Sequence, residues 1–261
     1  MRRKLFFIAI LFYVPLTSMA WGMLGHRVVG QIAESYLTPK AAAAIKDILG
    51  NETMALASTW ADFVRSDHEY DYISPWHYIN VADNLTQEEL NAYLAQDTIA
   101  DAYTKINFLA NELKRKDLSK DVKKMYVRLL IHIVGDVHQP MHVSREEDAG
   151  GNKIKVFWFG QPTNLHSVWD DKLISSEQLS YTEYTNAINY INKAQRQAWM
   201  QQPVSQWIYD SYVIAQKLYA EVKAPDQKLS YRYVYDHIQT ANEQLLKGGV
   251  HLAGLMNQIF G

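Results

Sequence analysis

The chain has 261 residues, of which 48% are hydrophobic and 21% charged, and it contains no cysteine. Its 26 basic and 28 acidic residues give a formal charge of −2, which excludes the broadly basic surface typical of proteins that bind duplex nucleic acid. The lack of cysteine excludes disulfides and thiolate metal sites, and the length suffices for one large domain with its own core.

The first 20 residues have the pattern of a cleavable signal peptide. Basic residues occupy positions 2–4, an apolar run follows over 5–16, and Ser18 and Ala20 are the small residues of a cleavage site. The run is too short for a membrane span, and no later segment reaches the ~20 apolar residues that a span needs. We therefore expect an exported mature chain, residues 21–261, in the periplasm or the medium, without stable membrane association. An uncleaved leader acting as an anchor is the alternative.

Helical patterns dominate the mature chain. Apolar residues at helical spacing predict helices over 25–37, 40–49, 59–65, 87–115 (as one helix or two), 122–137, 182–201, 204–222 and 231–260. Pro39 marks the start of the second helix and Gly50 its end. The segment 152–159 is rich in β-branched and aromatic residues and predicts a strand or hairpin. The expected fold is all-α, a single mainly helical domain with one short β-hairpin.

Histidine and aspartate at helical spacing are the candidate functional residues. His132 and Asp136 are four residues apart in an apolar helix, so they share one face. They could satisfy each other or hold a metal ion, because an unpaired buried charge is costly. The same spacing recurs at His166 and Asp170, and further candidates are His26, Asp62, His77 and His142. Nitrogen and carboxylate ligands without thiolate suit zinc, and this number exceeds one tetrahedral site.

The predicted new amino terminus adds a further candidate ligand. A free amine and the carbonyl oxygen of the same residue can form a five-membered chelate around a metal ion. Trp21 would gain this ability after cleavage at Ala20. Otherwise Trp21 is only the first residue of a processed chain.

As an ordered set, these motifs resemble a known family. The chain is similar to the zinc-dependent single-strand nucleases of fungi, plants and bacteria (the nuclease P1/S1 type) over essentially the whole of residues 21–261. The resemblance rests on Trp21-Gly22 with Gly25-His26, Trp60-Ala61-Asp62, Trp76-His77-Tyr78, His132-x₃-Asp136-x₅-His142, Gly150-Gly151-Asn152 and His166-x₃-Asp170.

The resemblance implies three zinc ions per chain. The implied ligands are Asp62, His77, His132 and Asp136 for the first zinc, His142, His166 and Asp170 for the second, and Trp21, His26 and the bridging Asp136 for the third. It further implies hydrolysis of single-stranded RNA and DNA to 5′-phosphate products, with 3′-nucleotidase activity as an added expectation. Nucleic acid and nucleotides would be the substrates, and we expect a monomer.

The resemblance also assigns roles around the metals. Asp62 would orient water in addition to binding zinc, and Arg65, three residues on, would clamp a phosphate oxygen. Asn152 would contact phosphate or the attacking water. Tyr78 occupies the base-stacking position, and Asn80 stands where fungal relatives carry an aspartate that bonds the base, so the base preference stays open. The alternatives are a surface arginine at 65 and ordinary turn chemistry at 152.

Four histidines fall outside this pattern. We expect His68, His237 and His251 to be surface or core residues. His138 lies between candidate ligands, and the sequence leaves open whether it supports the metal site.

Three other functions compete with the nuclease. A zinc phospholipase C shares the scaffold and the amino-terminal tryptophan ligand, but its second-zinc pair ends in glutamate where this chain has Asp170. A non-catalytic metal-binding bundle would need surplus ligands to close the open metal positions. A ferritin-like di-iron protein would need paired Glu-x-x-His motifs, which are absent.

Overall fold

A computed structural model describes residues 21–261, and the predicted signal peptide, residues 1–20, lies outside the described residues. The amino-terminal part of the described chain is mainly helical. Its α-helices are α1 (Met23–Ser35), α2 (Pro39–Leu49), α3 (Met54–Ala57), α4 (Trp60–Phe63), α5 (Gln87–Gln96), α6 (Ala102–Glu112) and α7 (Lys120–Asp136). Segments of 3₁₀ helix accompany them at Val64–Ser66, His68–His77 and Pro140–His142.

The carboxyl-terminal part is also mainly helical. Its α-helices are α8 (Leu165–Ser167), α9 (Leu173–Ser175), α10 (Tyr181–Ile188), α11 (Lys193–Met200), α12 (Val204–Glu221) and α13 (Tyr231–Phe260), with a π-helical segment at Val168–Lys172. The short strands are β1 (Ile79–Asn80), β2 (Val143–Ser144), β3 (Lys155–Trp158), β4 (Gln161–Asn164) and β5 (Gln227–Leu229). The predicted class, a mainly helical single domain, is confirmed.

Local signals explain where the helices begin and end. The Thr38 side chain accepts a hydrogen bond from the backbone N–H of Ala41 at 3.3 Å, and α2 ends at Gly50, whose φ is 72°. The predicted segment 87–115 is two helices, because Asp101 and Thr104 form a capping box that starts α6.

Helices α1, α7 and α13 form the centre of the core. Helix α1 packs against α13, α3, α10 and α7. A Cβ atom on Gly249 of α13 would lie 2.4 Å from Cγ2 of Ile32, so the close approach of α13 to α1 requires glycine. Nearly every residue of α7 from Val127 to Asp136 is buried. The helices that carry His26, His132 and Asp136 are therefore held rigidly from inside the protein.

The strands form two small sheets. The predicted hairpin is confirmed: β3 and β4 are antiparallel and joined by Phe159 and Gly160, with φ values of 48° and 81°. Strand β5 adds to β3 in parallel. A second, unpredicted pairing is the parallel contact of β1 with β2, in which Ile79 lies opposite Val143.

One predicted element is wrong. The segment 182–201 is not a single helix but α10 and α11. Helix α10 ends at Ile188 with Asn189 as its C-cap, and the Asn192 side chain caps α11 by accepting the N–H of Gln195 at 2.9 Å. Within residues 21–261, no helix has the combination of length and apolar character that crossing a membrane requires.

Candidate metal centre

The predicted metal ligands converge on one buried site. Their donor atoms form three groups, in each of which all atoms lie within 4.8 Å of one another. The groups are His26, Asp62 and His132; His77, His132 and Asp136; and His142, His166 and Asp170. We call these eight side chains the metal cluster.

Asp136 lies at the centre of the metal cluster. Its Oδ2 is 3.0 Å from Nδ1 of His77 and 3.3 Å from Nε2 of His132, and its Oδ1 is 3.3 Å from Nε2 of His26. Two donors at this separation can share one zinc ion, since zinc bonds to nitrogen and oxygen are about 2.0–2.2 Å long. Asp62 reaches the same group, with Oδ1 3.9 Å from Nε2 of His132.

Asp170 organises the other part of the metal cluster. Its Oδ2 is 3.1 Å from Nε2 of His166, and its Oδ1 is 3.6 Å from Nε2 of His142. Both histidines and the aspartate are buried. His166 lies in α8 and Asp170 in the π-helical segment that follows, so the two side chains meet across the junction of these elements.

Backbone carbonyls fix three of the rings. In each, Nδ1 lies 2.6 Å from a carbonyl oxygen, which can only accept, so Nδ1 carries the proton and the Nε2 lone pair faces the metal cluster. The pairs are His132 with Ser58, His142 with His77, and His166 with Gly150.

Several atoms of the metal cluster lack a hydrogen-bond partner within the described part of the chain. They are both ring nitrogens of His26, Oδ2 of Asp62, Oδ1 of Asp136, and Nε2 of His142 and of His166. A buried polar group without a partner costs about 1–3 kcal/mol. The carboxylate oxygens and the Nε2 atoms of His142 and His166 are acceptors, so the ligand that would satisfy them is a cation. The residues present therefore fit a metal ion.

Trp21 lies beside this site. Its side chain is fully buried, and the Gly22 N–H donates to the Asp170 carbonyl at 2.6 Å. The Trp21–Gly22 peptide thus reaches the same segment as Asp170. Because the free amine depends on cleavage after Ala20, the ligand role of Trp21 stays a prediction.

A cavity of about 260 Å³ opens next to the metal cluster, and we call it the Tyr78 cavity. It brings together the remaining predicted site residues, Arg65, Tyr78, Asn80 and Asn152, with His77, His142 and His166 in its wall. The Tyr78 side chain is 41% exposed. Arg65 Nη1 lies 3.3 Å from Asp62 Oδ1, which joins the cavity to the metal cluster.

Comparison with known proteins places this arrangement in a family. A sequence model described as S1/P1 Nuclease matches residues 21–261. The chain belongs to the S1/P1 nuclease family. Nuclease P1 of Penicillium citrinum is 30% identical to it, over 92% of this chain and 98% of that protein. Endonuclease 2 of Arabidopsis thaliana is 30% identical over 96% and 94%, and Nuclease S1 of Aspergillus oryzae 31% over 59% and 54%.

Membership of the S1/P1 nuclease family defines the general chemistry. The protein is a hydrolase that acts on phosphodiester bonds. The phospholipase C alternative is not favoured, because the family that matches the whole of residues 21–261 is the nuclease family.

Burial sets the protonation of this S1/P1 nuclease site. Burial and the neighbouring histidines lower the pKa of His26 and of His77 well below the usual value, and burial also lowers the pKa of His132. These rings are therefore neutral near pH 7, as metal ligation requires. Burial raises the pKa of Asp136 well above its usual value, and the neighbouring carboxylates add to this. A cation bound beside Asp136 would favour the ionised carboxylate and so oppose this rise in its pKa.

One contact of this site was not predicted from the sequence. Gln139 is fully buried, its side-chain amide donates to Oδ1 of Asp170, and its Oε1 accepts the N–H of Met141 at 2.6 Å. It therefore fixes the orientation of a metal-cluster carboxylate. The available sign was a glutamine placed between the candidate ligands Asp136 and His142.

The other histidines lie outside the metal cluster. His68 is exposed, His237 pairs with Glu221 at 2.9 Å, and His251 is buried, as expected for surface and core residues. His138 bonds to His251 rather than to any residue of the metal cluster. His138 is therefore part of the core and, among the described residues, makes no hydrogen bond that supports the metal cluster.

Proposed function

We propose that this S1/P1 nuclease family member is an exported, zinc-dependent endonuclease that cleaves single-stranded RNA and DNA to 5′-phosphate products and has 3′-nucleotidase activity. The observation that carries the proposal is the metal cluster. Eight nitrogen and carboxylate side chains converge, and several of their buried donor atoms have no partner in the described chain. A purely structural cluster would satisfy these atoms internally.

The proposal assigns three zinc ions to the ligand sets that the family resemblance implies. The sets are Asp62, His77, His132 and Asp136; His142, His166 and Asp170; and the amine and carbonyl of Trp21 with His26 and Asp136. Zinc, when bound, acts as a Lewis acid and lowers the pKa of water to about 7, so that hydroxide is available near neutrality.

The protein's own residues orient the reacting groups. The Asp62 side chain is 6% exposed and its Oδ2 has no partner among the described residues, so the carboxylate can accept a proton from the attacking water. The Arg65 guanidinium, 3.3 Å from Asp62, lines the Tyr78 cavity, where it can bind a phosphate oxygen. Asn152 donates from Nδ2 to the Ala149 carbonyl at 2.8 Å and lines the same cavity, where its amide can contact the phosphate or the attacking water.

Tyr78 supplies the preference for single strands. An exposed ring in the wall of the cavity can stack on an unpaired base, which contributes about 1–3 kcal/mol, and a paired base cannot reach it. Asn80, half-buried in the same wall, would bond the edge of that base through its amide.

Export and activity are linked through Trp21. The match to the family model begins at residue 21, which supports Trp21 as the mature amino terminus. A precursor that retains Ala20 has an amide at this position instead of an amine. It is therefore expected to bind less zinc and to cleave poorly.

A hydrolysis assay on single-stranded DNA, RNA and phosphatidylcholine, with and without a chelator, tests the proposal. We expect both nucleic acids to be cleaved, the activity to disappear on prolonged chelation, and zinc to restore it. The matched variants are His166→Ala in the metal cluster, which should be inactive, and His251→Ala in the core, which should cleave at a permissive temperature. Cleavage of lipid alone, or nuclease activity unaffected by chelation, would refute the proposed function.

A further inference from the structure

Two further cavities reach the metal cluster. The Phe63 cavity, about 620 Å³, is lined by Asp62 and Phe63, and the Tyr181 cavity, about 700 Å³, by Asp170 and Tyr181. Neither shares a lining residue with the Tyr78 cavity. Met23 and Arg27 line both of them, so the two cavities adjoin across α1. Their volumes are in the range of sites for small organic ligands.

Three apolar side chains in the wall of the Phe63 cavity are exposed to solvent. The Phe63 side chain is 81% exposed, and Met23 and Leu56 are 53% and 47% exposed. Phe63 directly follows Asp62 in α4, and both residues line this cavity, which therefore reaches a member of the metal cluster. Contiguous exposed apolar residues at such a place are typical of a binding surface.

Arg27 supplies an unpaired positive charge between the two cavities. Its Nε is buried and has no hydrogen-bond partner, and none of the ion pairs among the described residues includes its guanidinium. The guanidinium lies 5.9 Å from the ring centre of Tyr181. Glu52, which lines the Phe63 cavity, is bonded to Arg128 at 2.6 Å. Arg27 is thus available for an anion.

The turn 62–65 connects the Phe63 cavity to the Tyr78 cavity. Asp62 and Phe63 line the first, Arg65 lines the second, and Asp62 and Arg65 are 3.3 Å apart. A strand whose base stacks on Tyr78 and whose scissile phosphate lies at Asp62 and Arg65 thus has a route into the Phe63 cavity.

We propose that Phe63 and Arg27 form a second nucleotide subsite, which rests on the proposed nuclease function and extends it. Phe63 stacks on the base on the far side of the scissile bond from Tyr78. Arg27 binds the phosphate next to the scissile one. The two residues act through different forces, so their effects respond differently to salt: stacking is insensitive to salt, and phosphate binding weakens as salt rises.

The experiment compares two substrates of the zinc-loaded mature protein. One is a single-stranded oligothymidylate, and the other is bis(p-nitrophenyl) phosphate, a phosphodiester without nucleotides. The readouts are the ratio of the two kcat/KM values and the slope of log kcat/KM for the oligonucleotide against log salt. The variants are Phe63→Ala, Phe63→Trp and Arg27→Gln.

Two control variants make the same kinds of substitution at positions outside the three cavities. Tyr190→Ala removes an aromatic ring that is 79% exposed. Arg196→Gln removes a half-buried guanidinium that lies 4.7 Å from the ring centre of Tyr36, much as Arg27 lies over Tyr181. Both should leave the ratio and the salt slope at their wild-type values.

We expect Phe63→Ala to lower the ratio about tenfold without changing the salt slope, and Phe63→Trp to restore it. Arg27→Gln should lower the ratio and reduce the size of the salt slope by about 0.7, the contribution of one phosphate contact on a single strand. If the wild-type protein cleaves the oligonucleotide but both variants behave like their controls, the subsite is overturned and the nuclease function stands. Equal losses on both substrates would also overturn the subsite. A wild-type protein that does not cleave the oligonucleotide refutes the proposed function itself.

Discussion

Two groups of buried histidines lie side by side in this protein and are built differently. In the metal cluster the rings face carboxylates, and several nitrogen and oxygen atoms have no partner in the described chain. In the second group, His138 Nδ1 bonds to the Val134 carbonyl at 2.7 Å and Nε2 to His251 Nδ1 at 2.7 Å, and His251 Nε2 meets the Gln202 amide at 2.8 Å. Burial of histidine is common to both groups, and the Gln244 Oε1 of the second group also lacks a partner within residues 21–261, so it is the unpartnered ring nitrogens and carboxylate oxygens that distinguish the metal cluster from a core network.

We call the second group the histidine network: His138, His251, Gln202, Gln244 and Ser211. Its Gln244 donates to the His138 carbonyl and to Ser211 Oγ, each at 3.0 Å. The turn after α7 serves both groups, because His138 points into the histidine network and Gln139 into the metal cluster. Adjacent residues therefore allow the two groups to be tested separately.

The largest effect is expected from Asp136→Asn. The carboxylate contacts three histidines of the metal cluster, and its loss should reduce cleavage of single-stranded DNA by about a thousandfold or more, with a lower zinc content per chain. Metal analysis and kcat/KM provide the measurements. His251→Leu in the histidine network should keep the zinc content and kcat/KM near their wild-type values. Full activity of Asp136→Asn would contradict the proposal that only the metal cluster is needed for cleavage.

The next effect is a pH dependence of stability that belongs to the histidine network. Burial, against the opposing bond to Val134, lowers the pKa of His138 from 6.5 to about 4. Between these values the unfolded chain binds a proton that the folded chain does not, so the free energy of unfolding falls as pH drops from 6.5 to 4, by roughly 3 kcal/mol. Urea unfolding after chelation, at pH 7 and pH 4.5, should show a weaker pH dependence for His138→Gln than for wild type. Equal dependence in the two proteins would contradict this assignment.

A smaller effect is expected from Gln139→Leu. Without its amide donor, the Asp170 carboxylate loses its orientation, and the affinity for zinc should fall by about 10- to 100-fold. A competition titration with a chromogenic chelator measures this. The matched variant is Gln244→Leu, which should lower stability and leave zinc affinity intact. The opposite pattern would mean that the two glutamines have been assigned to the wrong groups.

The smallest effect is expected from Ser211→Ala. Its Oγ donates to the Val137 carbonyl at 2.6 Å and accepts from Gln244. Removing this buried hydroxyl should cost about 1 kcal/mol of unfolding free energy, measured in urea, with no change in nuclease activity. A loss of nuclease activity under conditions where the variant is still folded would show that the histidine network affects the metal cluster.

The sequence predicted those features that depend on local spacing. Helix α2 follows from Thr38, Pro39 and Gly50, and the metal cluster from residue types and i, i+4 pairs. The break after Asn189 was missed because asparagine is tolerated inside a helix at small cost, and its capping role becomes visible only in the folded chain.

Other parts of the site have no signature in the sequence. Any residue can offer a carbonyl, so Ser58 could not be identified as the partner of His132. Phenylalanine is usually buried, so the exposed ring of Phe63 could not be foreseen. Ser58 follows α3 and Phe63 lies in α4, so both features depend on the orientation of these short helices, which tertiary packing decides.

The pairing of β1 with β2 has a consequence for the order of folding. Ile79 meets Val143 across a long stretch of intervening chain, and this contact brings the His77 carbonyl to the ring of His142. Closing so large a loop has a high entropic barrier compared with forming the helices on either side. The zinc-binding form should therefore appear late in refolding, after helical circular dichroism has recovered. The rate of zinc binding during refolding would then report the rate of the last folding step.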